Sequence, residues 1–208
     1  MSVLRRAVRA LRRKPFPGSA DYWEERYAGG GDSGAGSYGV IAEFKAQVLN
    51  DFVEQRRVRT VLELGCGDGH QLSLAKYPSY VGLDVSNTAV EHCRARFADD
   101  VAKSFQVYKP GSLDLVAELT LSLDVLLHLV EDAVFETYMR DLFGAATRYV
   151  GIFSPDRDGR PGAPHVRYRR FTPWVATNAP DWQLLLTVEN PHKGDESVAD
   201  FHFFELRG

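Results

Sequence analysis

The run Val61-Leu-Glu-Leu-Gly-Cys-Gly-Asp-Gly69 constrains this chain more than any other segment. Val61–Leu64 is a short apolar stretch of the kind that forms a buried parallel strand. Gly65, Gly67 and Gly69 predict a tight turn whose backbone can come close to a ligand. Fifteen residues after Gly69 stands Asp84, which ends a second apolar run, Tyr80–Leu83. Strand, glycine turn, strand and terminal carboxylate together predict a doubly wound α/β sheet. In such sheets a carboxylate at that place accepts hydrogen bonds from the ribose hydroxyls of an adenosine cofactor.

The glycine spacing separates two cofactors. A dinucleotide site uses G-x-G-x-x-G, because a pyrophosphate must reach the helix N-terminus. Here the spacing is G-x-G-x-G, with Glu63 two residues ahead of it. A carboxylate beside the loop suits a ligand with a cationic end and no phosphate, and this disfavours an NAD-dependent oxidoreductase. In these residues the chain resembles the class I S-adenosylmethionine-dependent methyltransferases. The resemblance implies S-adenosylmethionine as cofactor, held by Glu63, Gly65, Cys66, Gly67, Asp84 and Val85. A noncatalytic protein of the same fold, binding the cofactor or an anionic partner, is the alternative reading.

A second segment, Ser122-Leu-Asp-Val-Leu-Leu-His-Leu-Val-Glu-Asp132, resembles the stretch after the fourth strand of small-molecule methyltransferases. There it lines the sulfonium side of the pocket, which implies cofactor contacts from Ser122 and Leu123. Asp124 and His128 are four apart and share a face on a helical turn. Asp124 would orient His128, which would take a proton from an acceptor hydroxyl or amine. A structural histidine capping the next helix is the competing role. The segment lacks the Asn-Pro-Pro-Tyr pattern of many DNA and protein amide methylases. A resident metal is not expected, for want of converging ligands. Asp114, on the loop after the third strand, is a candidate for the adenine amino group or a plain turn carboxylate.

Two flanking regions complete the candidate site. Tyr22, Trp23 and Arg26 precede a glycine-rich stretch, Ala28–Gly39, which fits either a flexible linker or a lid. Aromatic faces attract a sulfonium, and Arg26 suits the methionine carboxylate; packing of Trp23 in the core competes. After the fifth strand, His165, Arg167, Tyr168 and Arg169 stand where such enzymes recognise acceptors. Arginine forks there predict a phosphate or carboxylate on the acceptor, or else an exposed basic loop. The segments around Asp21–Phe44 and His165–Trp174 also resemble bacterial methyltransferases of surface-polysaccharide and natural-product pathways.

The 208 residues suit one domain at 21–208 with a lid at 21–39, preceded by a basic extension at 1–20. Met1–Lys14 has five arginines, one lysine and no acid, interleaved with apolar residues at helical spacing. It reads as a solvated extension or a weak membrane-surface contact. The net charge of −3 gives no general attraction to nucleic acid, so a small-molecule acceptor is expected. No stretch approaches the ~18 apolar residues of a membrane span. Cys66 and Cys93 read as reduced thiols of a cytoplasmic protein. The expected fold is a seven-stranded, mostly parallel sheet, closed by an antiparallel hairpin of Trp182–Val188 and Phe201–Leu206.

Overall fold

The computed structural model describes residues 16–194 and 197–207, so the basic stretch Met1–Lys14 and its membrane-surface reading lie outside the described residues. The elements are α1 (Ser19–Ala28), α2 (Gly39–Arg56), β1 (Val61–Leu64), β2 (Tyr80–Asp84), α3 (Asn87–Arg96), β3 (Lys103–Val107), β4 (Ala117–Leu123), α4 (Asp132–Gly144), β5 (Ala146–Ser154), α5 (Thr172–Asn178), β6 (Trp182–Val188) and β7 (Asp200–Leu206). They build one seven-stranded sheet in the order β3-β2-β1-β4-β5-β7-β6. The first five strands in that order pair in parallel. β7 runs antiparallel to both β5 and β6. The fold is the Rossmann-like one expected from the sequence.

Alternation along each strand feeds two apolar layers. Val61, Leu119 and Leu121 point to the layer holding Ile41, Leu49 and Phe52 of α2. Leu62, Leu64, Val150 and Ile152 point to the layer holding Met139, Leu142 and Phe143 of α4. The central strands are buried on both faces, which is why they read as apolar runs. Tyr138 of α4 ties that layer to the ligand edge: its hydroxyl donates to Leu64 O at 2.7 Å and lies 2.8 Å from Ser122 Oγ.

Local chemistry fixes the helix starts. Ser86 Oγ accepts from Ala89 N at 3.0 Å, capping α3. α1 starts at Ser19, where Glu131 reaches across and accepts from Ser19 N at 3.0 Å. Between β1 and β2 the chain forms a single 3-10 turn, Gln71–Leu74. Gly69 is left-handed and Ala75 is already extended, so too few residues remain to nucleate an α-helix.

Candidate active site

The strand order reverses between β1 and its two neighbours β2 and β4, and a crevice opens there at the carboxyl edge. It holds a cavity of ≈ 270 Å³. The glycine loop forms one wall, with Gly65, Gly67 and Gly69 at φ +90, +57 and +74. Those angles are the left-handed region that favours glycine. Leu83 O accepts from Gly65 N at 2.6 Å and Cys66 N at 3.0 Å, which folds the loop back over β2. Asp84 then anchors the loop tip: Oδ2 accepts from Gly67 N at 2.9 Å and Oδ1 from Ser86 N at 2.9 Å.

Glu63, Gly65, Cys66, Gly67, Asp84, Val85, Leu123 and Trp23 all line this cavity. Burial pushes the Glu63 carboxyl up to about 7, although Tyr80 donates to its Oε2 at 2.7 Å. Burial likewise raises Asp84 to about 6, against the stabilising N–H groups of Ser86 and Gly67. Gln71, also in the lining, donates Nε2 to Ala42 O at 3.1 Å and leaves its buried Oε1 without a partner. Two buried carboxylates and an orphaned carbonyl oxygen among apolar walls suit a ligand with ribose hydroxyls and a cationic end. The residues therefore fit S-adenosylmethionine.

A second cavity of ≈ 260 Å³ lies next to the first. The two share Trp23, Ser33, Asp124 and His128 in their walls. His128 Nδ1 lies 3.0 Å from the His165 carbonyl oxygen. A carbonyl can only accept, so Nδ1 carries the hydrogen and Nε2 is the lone-pair atom of the neutral ring. Burial pushes His128 down to about 4. The Trp23 and His128 rings meet edge to face at 4.9 Å, and His165 stacks on Tyr22 at 4.4 Å.

Several expected contacts are arranged differently. Asp124 does not orient His128. Its Oδ2 accepts from Lys45 Nζ at 2.8 Å, because Lys45 is fully buried and needs a compensating charge. Arg167 and Arg169 are absent from both cavity walls, so neither is free to clamp an acceptor. Arg169 donates to Leu129 O and Val130 O at 3.1 and 2.9 Å, and both arginines pair with Asp132 at 2.5–2.9 Å. The turn after His128 exposes those carbonyls, and the forks satisfy them. Ser122 is fully buried and bonded to Tyr138 rather than lining the cofactor cavity. Tyr22 lines neither cavity, and Arg26 lines only the second, paired with Asp32 at 2.9 Å. Asp114 is exposed and outside both linings; Tyr108 and Pro110 occupy that side instead. His165 and Tyr168 do line the second cavity.

The role of Arg169 gives an expected result. Arg169→Ala should lower stability by about 1.5–3 kcal/mol, the range for losing hydrogen bonds to a charged group. Denaturant unfolding reads this directly. Unaltered stability with a raised acceptor KM would return Arg169 to substrate recognition.

Several site residues are invisible to motif reading. Asp68 Oδ2 accepts from Ser33 N at 2.9 Å and Tyr38 OH at 2.7 Å, while Ser33 Oγ accepts from Asp68 N at 3.0 Å. These bonds hold the glycine-rich segment down on the glycine loop. Glu24 of α1 accepts from Ser86 Oγ and Thr88 Oγ1, both at 2.6 Å, at the N-terminus of α3. The helix dipole favours a carboxylate there. Lys45 did leave a trace: it breaks the apolar stripe Ile41, Lys45, Leu49 of α2.

The chain matches the mRNA (guanine-N(7))-methyltransferase domain family over residues 41–133. No curated protein matches the sequence. Among solved structures it is similar to the N-methyltransferase NodS of Bradyrhizobium japonicum in complex with S-adenosyl-L-homocysteine. That match has a TM-score of 0.74 at 16% identity and covers 92% of this chain and 100% of the other. It is also similar to the magnesium protoporphyrin IX methyltransferase of Synechocystis PCC 6803, with a TM-score of 0.64 at 17% identity, covering 90% and 94%. The methyltransferase domain of a bacterial Hen1 gives 0.63 at 17% identity, covering 79% and 97%. At these identities the likeness is one of fold. The fold is thus the one these S-adenosylmethionine-dependent methyltransferases share, the matched stretch carries the glycine loop and Asp84, and those residues fit that cofactor.

Proposed function

We propose that the methyl acceptor is a small molecule seated in the second cavity, and that its reacting atom is a nitrogen or an oxygen. The supporting observation is the pair of adjoining cavities with Trp23, Ser33, Asp124 and His128 in both walls. When bound, the cofactor supplies an electrophilic methyl group on a sulfonium. Asp84 receives ribose hydroxyls, and Glu63 and Gln71 face the cationic methionine end. Trp23 offers a π-face to positive charge. Aligning an acceptor across the shared wall supplies much of the rate, since proximity replaces an encounter in solution.

Residues 21–39 act as a lid in this reading. Ser33 and Tyr38 latch it to Asp68, as the hydrogen bonds above describe. The single domain then runs from α1 to β7. The volume of ≈ 260 Å³ supports a small acceptor in this reading. An anionic acceptor has weaker support than a neutral or cationic one, because Arg167 and Arg169 are engaged elsewhere and Asp124 lines the cavity. A cytoplasmic setting rests on Cys66 and Cys93, both free thiols. A surface-polysaccharide or natural-product pathway rests on sequence likeness alone. Among the described residues no helix is long and apolar enough to cross a membrane.

Calorimetry tests the cofactor half. Asp84→Ala should weaken S-adenosylmethionine binding by about 1.5–3 kcal/mol. The wild-type affinity should also depend on pH. Only the ionised carboxylate accepts both ribose hydroxyls, and Asp84 is raised to about 6. Affinity should therefore fall as pH drops through that value, by about tenfold per unit below it. Affinity constant from about pH 8 to pH 5 would remove Asp84 from the ribose site. Tight binding without transfer to any acceptor would favour the noncatalytic alternative.

A further inference from the structure

The wall shared by the two cavities carries two lone-pair atoms that the fold leaves available. One is His128 Nε2, because Nδ1 is committed to the His165 carbonyl. The other is Asp124 Oδ1: Lys45 Nζ binds Oδ2 at 2.8 Å, and among the described residues Oδ1 has no hydrogen-bond partner. The Asp124 side chain keeps 20% of its exposure, whereas that of Lys45 keeps 1%. The carboxylate thus has a buried cation behind it and open space before it.

The backbone at Asp124 is built for this direction. Asp124 has φ +58, a left-handed conformation, where β4 ends and the chain turns toward His128. Lys45 reaches it from the apolar face of α2, with its ammonium 5.4 Å from the centre of the Phe153 ring. The glycine-rich segment closes the far side. A Cβ on Gly36 would lie 2.7 Å from Asp124 Oδ2, so glycine lets that backbone abut the carboxylate.

We infer that the methyl acceptor is a primary amine whose two N–H hydrogens are received by Asp124 and His128, with Lys45 as the positioning residue for Asp124. This rests on the proposed function and names the class of its substrate. An amino group brings two hydrogens and one lone pair, so two acceptors hold the hydrogens while the lone pair faces the methyl. A hydroxyl brings one hydrogen and leaves one acceptor unpaired. A ring nitrogen such as purine N7 brings none and sets its lone pair against two others. Leaving such groups unpaired is what gives polar sites their strong discrimination. In the transfer the amine lone pair forms the N–C bond and the C–S bond breaks. Its electron pair stays on sulfur as a neutral thioether. The product ammonium then gives up one proton, through Asp124 or His128, to water.

The test is a labelled methyl-transfer panel on the full chain, with matched probes: benzylamine against benzyl alcohol, glucosamine against glucose, and GTP for purine N7. In any pair that reacts, the amine should be preferred by at least about a hundredfold, and GTP should stay unmethylated. Equal transfer to the alcohol, or methylation of GTP at N7, would overturn the amine assignment and leave the methyl-transfer reading standing. No transfer to any probe by protein that binds S-adenosylmethionine would reject both. The K45M/D124N variant removes both charges of the ion pair together, so neither is stranded. It should cut the amine-to-alcohol ratio by about tenfold or more. An unchanged ratio, with both acceptors slowed alike, would make Lys45 and Asp124 structural only. The wild-type panel decides the amine assignment whether or not that variant folds.

Discussion

Gly67→Val should abolish S-adenosylmethionine binding. Gly67 sits at φ +57, where a β-branched residue is strained by about 1–3 kcal/mol. Space is also closed to a side chain. A Cβ there would lie 2.3 Å from Ser33 Oγ and 3.0 Å from Tyr27 OH. The valine would push the glycine-rich segment off the loop and break the Gly67 N–Asp84 hydrogen bond of 2.9 Å. Calorimetry on a variant with a native circular dichroism spectrum should show no heat of binding. A normal titration curve would mean that the cofactor does not rest on this loop.

The second large effect concerns stability. Asp124→Ala should cost about 3–5 kcal/mol, because it strands the Lys45 ammonium in the interior. Lys45 is fully buried, and among the described residues Asp124 is its one ion-pair partner. The double variant K45M/D124A should recover most of that loss, since it removes the buried charge as well. Urea unfolding of the single and double variants measures the difference. Equal stability of Asp124→Ala and wild type would show that Lys45 finds another partner or that water reaches it.

The elements that sequence reading places well are those whose cause is local. The glycine loop shows itself because Gly65, Gly67 and Gly69 must adopt left-handed angles. Asp84 shows itself because it ends an apolar strand. The closing hairpin of β6 and β7 follows from two strand patterns with only a polar turn between them. What stays hidden is pairing across long stretches of chain. Lys45 and Asp124 are 79 residues apart, and nothing near Asp124 hints that its partner is on α2 rather than at His128. Arg167 and Arg169 alternate as in an exposed binding strand, yet their partners lie about forty residues earlier, on a turn whose free carbonyls need donors. The Asp68–Ser33 clasp spans 35 residues, so the glycine-rich segment reads from composition as a linker. Aromatic residues divide by context: Trp23 faces the cofactor cavity, while its neighbour Tyr22 turns to stack on His165.

A crystal structure of the protein with S-adenosyl-L-homocysteine tests the site as a whole. The ribose hydroxyls should lie within hydrogen-bond distance of Asp84. The amino group should face Glu63 and Gln71, and the sulfur should point at the wall shared by Trp23, Asp124 and His128, toward the second cavity. A ribose held away from Asp84, or a sulfur turned from that wall, would contradict the arrangement proposed for methyl transfer.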